Sequence, residues 1–191
     1  MTLELPHDQY VIRRKFLRLF GNEFRVFDPA GQQVLFSRQK AFKLREDIRV
    51  WSGDDMQTEL LRIAARQIVD FSAAYDVIDS TTNMKVGAFK RKGLKSIVRD
   101  EWILMDANDQ EIGLFQEDSV GMAILRRFIN IIPQKFHMDV GAAHVANLRQ
   151  NWNPFVVKVS VDFSPDTQKV LDKRFGIAVA ILHGAIEGRQ S

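Results

Sequence analysis

The sequence predicts a mainly β protein: a closed antiparallel β-barrel of about twelve strands around a buried, apolar C-terminal helix. Three observations lead there. The run from Phe175 to Ile186 (FGIAVAILHGAI) has His183 as its one polar side chain, and a helix apolar on every side must be surrounded by protein or lipid. Twelve residues cover about 18 Å, well short of the roughly 30 Å hydrocarbon core of a bilayer. Nearly everything before that run reads as short strands separated by turn residues. A sheet closed on itself has no exposed edges, and a helix that satisfies its own backbone hydrogen bonds can occupy the dry interior.

The elements follow in order. Residues 1–9 form an N-terminal extension, and residues 10–190 form a single domain, since no linker or low-complexity tract interrupts them. Tyr10 to Phe20 alternates loosely and predicts the first strand. Three hairpins then share one pattern: an aromatic, alternating apolar residues, Asp, a polar turn, and an apolar return ending in Phe. They run from Phe24 through Asp28 to Phe36, from Tyr75 through Asp79 to Phe89, and from Trp102 through Asp106 to Phe115. In each, the Asp side chain is expected to cap the turn. Gly87 and Gly113 sit in the return strands, where glycine marks a bulge or a close approach. Between the hairpins, Ala41 to Trp51 reads as one or two strands and Leu94 to Val98 as a short one. Leu60 to Phe71 suits either a helix or a strand, with the neighbouring hairpins favouring strand.

Ser119 to Asn130 places Val120, Ile124, Phe128 and Ile131 on one stripe and predicts a helix, ended by Pro133. Three more strands follow: Phe136 to Val140, His144 to Arg149 and Phe155 to Phe163, the last rich in Val. Ser164-Pro165-Asp166 is expected to open the final helix. Inside the barrel, Gly176 and Gly184 would let strand side chains approach closely. His183 would need a buried partner or a place near the barrel mouth.

Composition narrows the function classes. Hydrophobic residues make up 46% and charged residues 27%, as in a soluble globular protein. The absence of Cys removes disulfides, thiolate metal sites and a Cys nucleophile. Met1 to Asp8 has neither the basic nor the apolar region of a signal peptide, so a cytoplasmic location with no transmembrane span is expected. The four His residues have no partner at metal-ligand spacing, and neither a metal nor a cofactor is expected. No GxSxG, phosphate loop or supported Ser/His/Asp set is present. Asp100 and Glu101 are adjacent in an extended stretch, face opposite sides, and make a poor acid–base pair. The expectation is a non-enzymatic protein.

The net charge is only +3, but it is unevenly spread. Arg13, Arg14, Lys15 and Arg18 form one basic cluster, and Arg38, Lys40, Lys43 and Arg45 a second. Lys85, Lys90, Arg91, Lys92, Lys95 and Arg99 form the third, with no acid among them. Such clusters serve either as solvated strand faces that discourage edge pairing or as anchors for phosphates.

The order of these motifs resembles the LURP-one-related proteins, which belong with phospholipid scramblases and the tubby C-terminal domain. The resemblance rests on the Tyr75-to-Phe89 hairpin, the basic turn Lys90-Arg91-Lys92-Gly93, Leu94 to Ile97, and Asp100-Glu101-Trp102 with its hairpin. It continues through the Arg126-Arg127 helix to Leu171-Asp172-Lys173-Arg174-Phe175-Gly176-Ile177-Ala178, and so covers about Tyr10 to Glu187. It implies a tubby C-terminal-like barrel of twelve strands around a central helix. Tubby-type domains bind phosphoinositides through basic side chains on the barrel. Scramblases carry an acidic calcium-binding stretch before the final helix. Here Asp162 to Asp166 offers two carboxylates and no Gly, too sparse for such a loop. The scramblases' Cys-rich palmitoylation segment and Pro-rich tail are also absent, so calcium-dependent scrambling is not expected.

The site expected from these readings is Lys90, Arg91, Lys92 and Lys95, at a hairpin end where several cations can converge on a phosphate. The expected partner is an anionic phospholipid headgroup at a membrane surface, with the protein peripheral to that membrane. The alternatives are a protein-interaction scaffold, or a small-molecule carrier or enzyme using a barrel-mouth pocket near His183. Nucleic acid is the weaker reading of the same cations, because no recognition motif accompanies them.

Overall fold

The computed structural model describes residues 3–17, 21–39, 47–66, 74–92, 101–118, 134–151 and 157–187. Twelve strands appear in chain order: β1 (Gln9–Leu17), β2 (Gly21–Phe27), β3 (Gln33–Gln39), β4 (Ile48–Trp51), β5 (Glu59–Ala65) and β6 (Ala74–Asp79). They continue with β7 (Met84–Arg91), β8 (Glu101–Met105), β9 (Glu111–Glu117), β10 (Lys135–Val140), β11 (Ala143–Asn151) and β12 (Val157–Asp162), followed by helix α1 (Lys173–Glu187). Each strand pairs antiparallel with its sequence neighbour, and β1 pairs with β12 to close the barrel. Closure leaves no edge strand open to another chain.

Alternation along the strands sets the inner face. Tyr10 and Ile12, Phe24 and Val26, Leu61 and Ile63, Tyr75 and Val77, Trp102 and Leu104, and Phe136 and Met138 are all buried. They pack around α1, in which every residue from Phe175 to Ala185 is buried. Fifteen residues of helix span roughly 22 Å, about the height of strands of this length, so one helix fills the barrel. Each fully buried Val, Leu, Ile or Phe contributes about 1.5–3 kcal/mol.

Three hairpins match the repeated pattern as β2–β3, β6–β7 and β8–β9. Their Asp residues cap the turns: Asp28 accepts from the Gln32 amide at 2.8 Å, Asp79 from the Thr81 amide at 2.8 Å, and Asp106 from the Asn108 and Gln110 amides at 2.8 and 2.9 Å. Both return-strand glycines sit at register shifts, opposite Val77–Ile78 and Leu104–Met105. A Cβ on Gly87 would lie 2.8 Å from the Met105 carbonyl oxygen and 3.2 Å from the Phe175 ring. On Gly176 it would lie 2.5 Å from the Phe163 ring, and on Gly184 3.2 Å from Phe24. The helix glycines therefore admit strand and loop aromatics.

The ambiguous Leu60-to-Phe71 stretch is strand from Leu60 to Ala65, within β5; residues 67–71 lie outside the described residues. Its hydrophobic period of three to four gives way to cross-strand pairing with β4 and β6. Ile48 to Trp51 is the described part of the Ala41-to-Trp51 strand. The expected Leu94-to-Val98 strand and the Ser119-to-Asn130 helix lie outside the described residues.

The helix start is a correction. Ser164-Pro165-Asp166 does not open α1; residues 164–172 form turns and the helix begins at Lys173. Both Asp166 carboxylate oxygens accept from backbone amides, Oδ1 from Val170 at 3.0 Å and Oδ2 from Leu171 at 2.9 Å, which folds the segment back on itself. Lys169 takes a left-handed φ of 53° within it. Asp172 is the residue that caps the helix, accepting from the Arg174 amide at 2.9 Å.

Arg174 also anchors the helix to the barrel wall, donating at 2.6 Å to Asp79, whose side chain is 3% exposed. Burial pushes the Asp79 carboxyl upward. The Thr81 hydroxyl, the Thr81 and Thr82 amides and the Arg174 charge outweigh it and hold the group below its ordinary value. A carboxylate depressed on folding stabilises the fold above its unfolded pKa of about 3.9, and that stability is lost as pH falls through the lower folded value. Asp79→Asn is therefore expected to lower stability by on the order of 2 kcal/mol at neutral pH. Melting curves of both proteins against pH should converge below about pH 4. A gap that stays constant to low pH would show that the carboxylate charge is not the source.

Candidate functional site

The two ends of the barrel differ. The base, where α1 begins, holds residues 3–8, the turns at 28–32, 52–58, 80–83, 106–110 and 141–142, and the loop 163–172. These segments contain nine carboxylates (Glu4, Asp8, Asp28, Asp54, Asp55, Asp106, Asp109, Asp166 and Asp172) and one cation, Lys169. The rest of the chain holds the other 26 of 27 Lys and Arg, against 15 of 24 Asp and Glu. The opposite, exit end holds the C-terminus of α1 and the far ends of all twelve strands.

At the exit end the inner face turns polar. Arg14 of β1 donates to the Gly184 carbonyl at 2.6 Å, satisfying one of the carbonyls that a helix terminus leaves without an intrahelical partner. Asn22 and Gln39 face each other across β2 and β3, and both are buried, as is Glu117 of β9. His183 is also buried, edge-on to the Phe136 and Phe115 rings with centroids 4.3 and 5.2 Å away. Its imidazole is thus wedged among aromatics of β9 and β10.

The expected site residues fall at this end. Lys90 lies near the end of β7, 37% exposed, with Nζ 3.0 Å from Glu111 of β9. Lys92 follows β7; its amide donates to the Glu101 carbonyl at 3.0 Å and its ammonium pairs with the Glu101 carboxylate. Arg91 lies between them, paired across the sheet with Trp102. Strand alternation places it on the inner face with Phe89, opposite Lys90. The structure thus brings Lys90 and Lys92 to the outer surface and turns Arg91 away from them. Lys95 lies outside the described residues. The Lys90–Glu111 pair is solvent-exposed, with Glu111 at 59%, and such pairs contribute only about 0–1 kcal/mol. A phosphate has little to displace there.

No protein-family model, curated protein or solved structure matches this chain. The site is therefore read from its own geometry. Among the described residues no helix is long and apolar enough to cross a membrane, and no three His, Asp or Glu side chains are arranged to hold a metal ion.

Two clusters were invisible in the sequence. On the outer face of β9–β11, Asp139 bridges two imidazoles, 3.0 Å from His144 Nδ1 and 3.4 Å from His137 Nε2, while His137 Nδ1 meets Asp118 at 2.5 Å. On the outer face of β5–β9, Arg66 and Lys85 each bridge Asp76 and Asp109. Both depend on cross-strand register, which sequence spacing does not encode. The Asp139 carboxylate occupies the space between the two imidazoles, so the pair is not free to act on an anionic substrate. The Arg66 network cancels its own charge and ties the β8–β9 turn to the wall.

Proposed function

We propose that the protein is a non-enzymatic binding module that recognises anionic phospholipid headgroups at a membrane surface through its exit end. The observation that carries this reading is the charge polarity of the barrel. Nine carboxylates crowd the base; Arg25, Arg66, Lys85, Lys173 and Arg174 reach four of them from the strands and the helix, which leaves a smaller excess of negative charge there, and an anionic surface would orient the barrel with its base outward. The filled interior supports the same reading, since α1 occupies the space in which a larger barrel would hold a substrate. Lys90 and Lys92 would contribute half-exposed ammonium groups that exchange Glu111 and Glu101 for a phosphate, joined by Lys95 in the segment that follows. The resemblance to the LURP-one-related and tubby-type proteins points the same way.

The test is co-sedimentation with phosphatidylcholine vesicles, with and without phosphatidylserine or phosphoinositide, at low and moderate salt. Binding is expected only to the anionic vesicles and is expected to weaken with salt. Each basic residue near such a surface contributes about 1 kcal/mol, so Lys90→Gln/Lys92→Gln/Lys95→Gln should reduce partitioning roughly a hundredfold. Binding that ignores acidic lipid, or that survives the triple substitution, would overturn the proposal.

A further inference from the structure

The outer wall of the barrel carries a run of cations that no carboxylate neutralises. Lys135 of β10, Arg149 of β11, Lys158 of β12, and Arg13 and Lys15 of β1 are all exposed. Strand alternation turns them outward. Among the described residues, none of the five forms an ion pair or hydrogen bond, and Arg13 rests over the Phe27 ring at 4.3 Å. Lys90 and Lys92, by contrast, each hold a carboxylate.

Register brings the five together. Lys135 stands directly opposite Arg149, and Lys158 directly opposite Arg13. Arg149 faces Ser160 and Lys158 faces Asn151, so the two cations are diagonal neighbours. Lys15 follows Arg13 by two residues on the same face. Directly opposed side chains lie about 4.5–5.5 Å apart at Cβ and diagonal ones about 7–8 Å, and like charges directly opposite each other destabilise a sheet. Two such pairs share this face. The nearest acids are held elsewhere: Asp118 beside Lys135 by His137, and Glu23 opposite Lys15 by Arg25 and Arg38. An anion laid along the track relieves both opposed pairs at once.

The shape of the face selects the anion. It is an open wall, where one exposed charge contributes little by itself, so a single phosphate is poorly held. A polymer adds a phosphate for each cation and gains the release of its counterions. Strands β10, β11, β12 and β1 cover three of the twelve inter-strand steps of the closed barrel, a quarter of its circumference. A flat bilayer or a stiff duplex meets such a curve along one line, whereas a flexible strand follows it.

We infer that this face binds the phosphate backbone of a single-stranded nucleic acid. Asn151 and Ser160, exposed among the cations, add hydrogen-bonding groups for phosphate or sugar oxygens. Arg13 covers the Phe27 ring, so the track offers no aromatic face on which a base could stack. Recognition is by charge, without sequence preference. Strand β12 lies five steps round the barrel from β7, so the face is separate from Lys90 and Lys92 and stands independently of the membrane-surface reading.

Fluorescence anisotropy of the full chain with labelled oligouridylate and oligoadenylate tests it. The two are expected to bind alike. Five phosphate contacts give a log–log salt slope of about −3.5, so a fourfold rise in salt should weaken binding roughly a hundredfold. Arg13→Gln/Arg149→Gln/Lys158→Gln should flatten that slope by about two, and Lys158→Gln alone by about 0.7. All three side chains are exposed, and removing opposed like charges should leave the melting temperature no lower than that of the parent. Lys90→Gln/Lys92→Gln should bind oligouridylate as the parent does. The inference is overturned by an absence of binding at low salt, by an unchanged slope in the triple variant, or by a duplex or polyglutamate competing as well as the single strand. Loss of anionic-vesicle binding in the triple variant, with oligouridylate binding retained, would place this wall at the membrane and overturn it too.

Discussion

Gly113→Ala is expected to prevent the barrel from closing. An ideal Cβ at this position would lie 1.9 Å from the Asp139 carbonyl oxygen, 2.9 Å from its carbon and 3.0 Å from the Val140 Cα. All three are backbone atoms of β10, so no rotamer change relieves the contact. Gly113 faces the interior in register with Leu104 on one side and Val140 on the other, beside a register shift in β8. Accommodating a methyl group means moving β9 and β10 apart by more than 1 Å, which breaks ladder hydrogen bonds at the very point where the Gly141 amide reaches the Ile112 carbonyl at 2.8 Å. The expected loss is about 4 kcal/mol or more, at the extreme of single substitutions. Gly31→Ala is the comparison: it has nothing within 4 Å of its Cβ, and its cost is confined to a φ of +80° in an exposed turn. Thermal denaturation followed by circular dichroism should show Gly31→Ala folded and Gly113→Ala largely unfolded. A cooperative transition for Gly113→Ala within a few degrees of the parent would refute the close approach of β9 and β10.

Ala180→Asp is expected to leave no folded protein. Ala180 is 2% exposed at the middle of α1, with Val179 and Ile181 at 1% and 0% beside it. A charge placed there has no partner among the surrounding apolar side chains, and an uncompensated buried charge costs several kcal/mol, comparable with the whole stability of a domain. The same chemical change at Ala142, exposed in the β10–β11 turn, should be tolerated. Soluble expression and tryptophan fluorescence separate the two outcomes. A soluble, cooperatively folding Ala180→Asp protein would remove α1 from the barrel interior.

The architecture was legible because it depends on patterns that sequence carries locally. Three Asp-capped hairpins, Gly87 and Gly113 in their return strands, and an all-apolar run too short to span a bilayer each constrain the chain within a few residues. The helix start was not legible. Ser-Pro-Asp is a reasonable opening signal, but the Asp166 carboxylate is drawn to amides four and five residues ahead, and the capping falls to Asp172. Phe36 was equally opaque. It follows the inward-facing Leu35 and so points outward, yet both are fully buried, because the Arg25 and Arg38 guanidiniums lie 5.0 and 5.5 Å over its ring and Trp51 packs beside it. Alternation alone predicts exposure there.

The basic run shows the same division. Its charge is a property of the sequence. That Lys90 meets Glu111, that Lys92 meets Glu101, and that Arg91 turns to the opposite face are consequences of β7 lying beside β8 and of β9 one strand further on. The carboxylate excess at the base likewise emerges only when turns far apart in the chain are gathered at one end of the barrel.

The sequence by itself determined that this protein is a closed β structure with an apolar helix as its core, because hydrophobic periodicity and turn chemistry act over a few residues. Tertiary structure alone decided which charges are spent on one another and which remain available. Ion pairs and pockets form between residues separated by tens of positions, and their geometry exists only once the register of twelve strands is set.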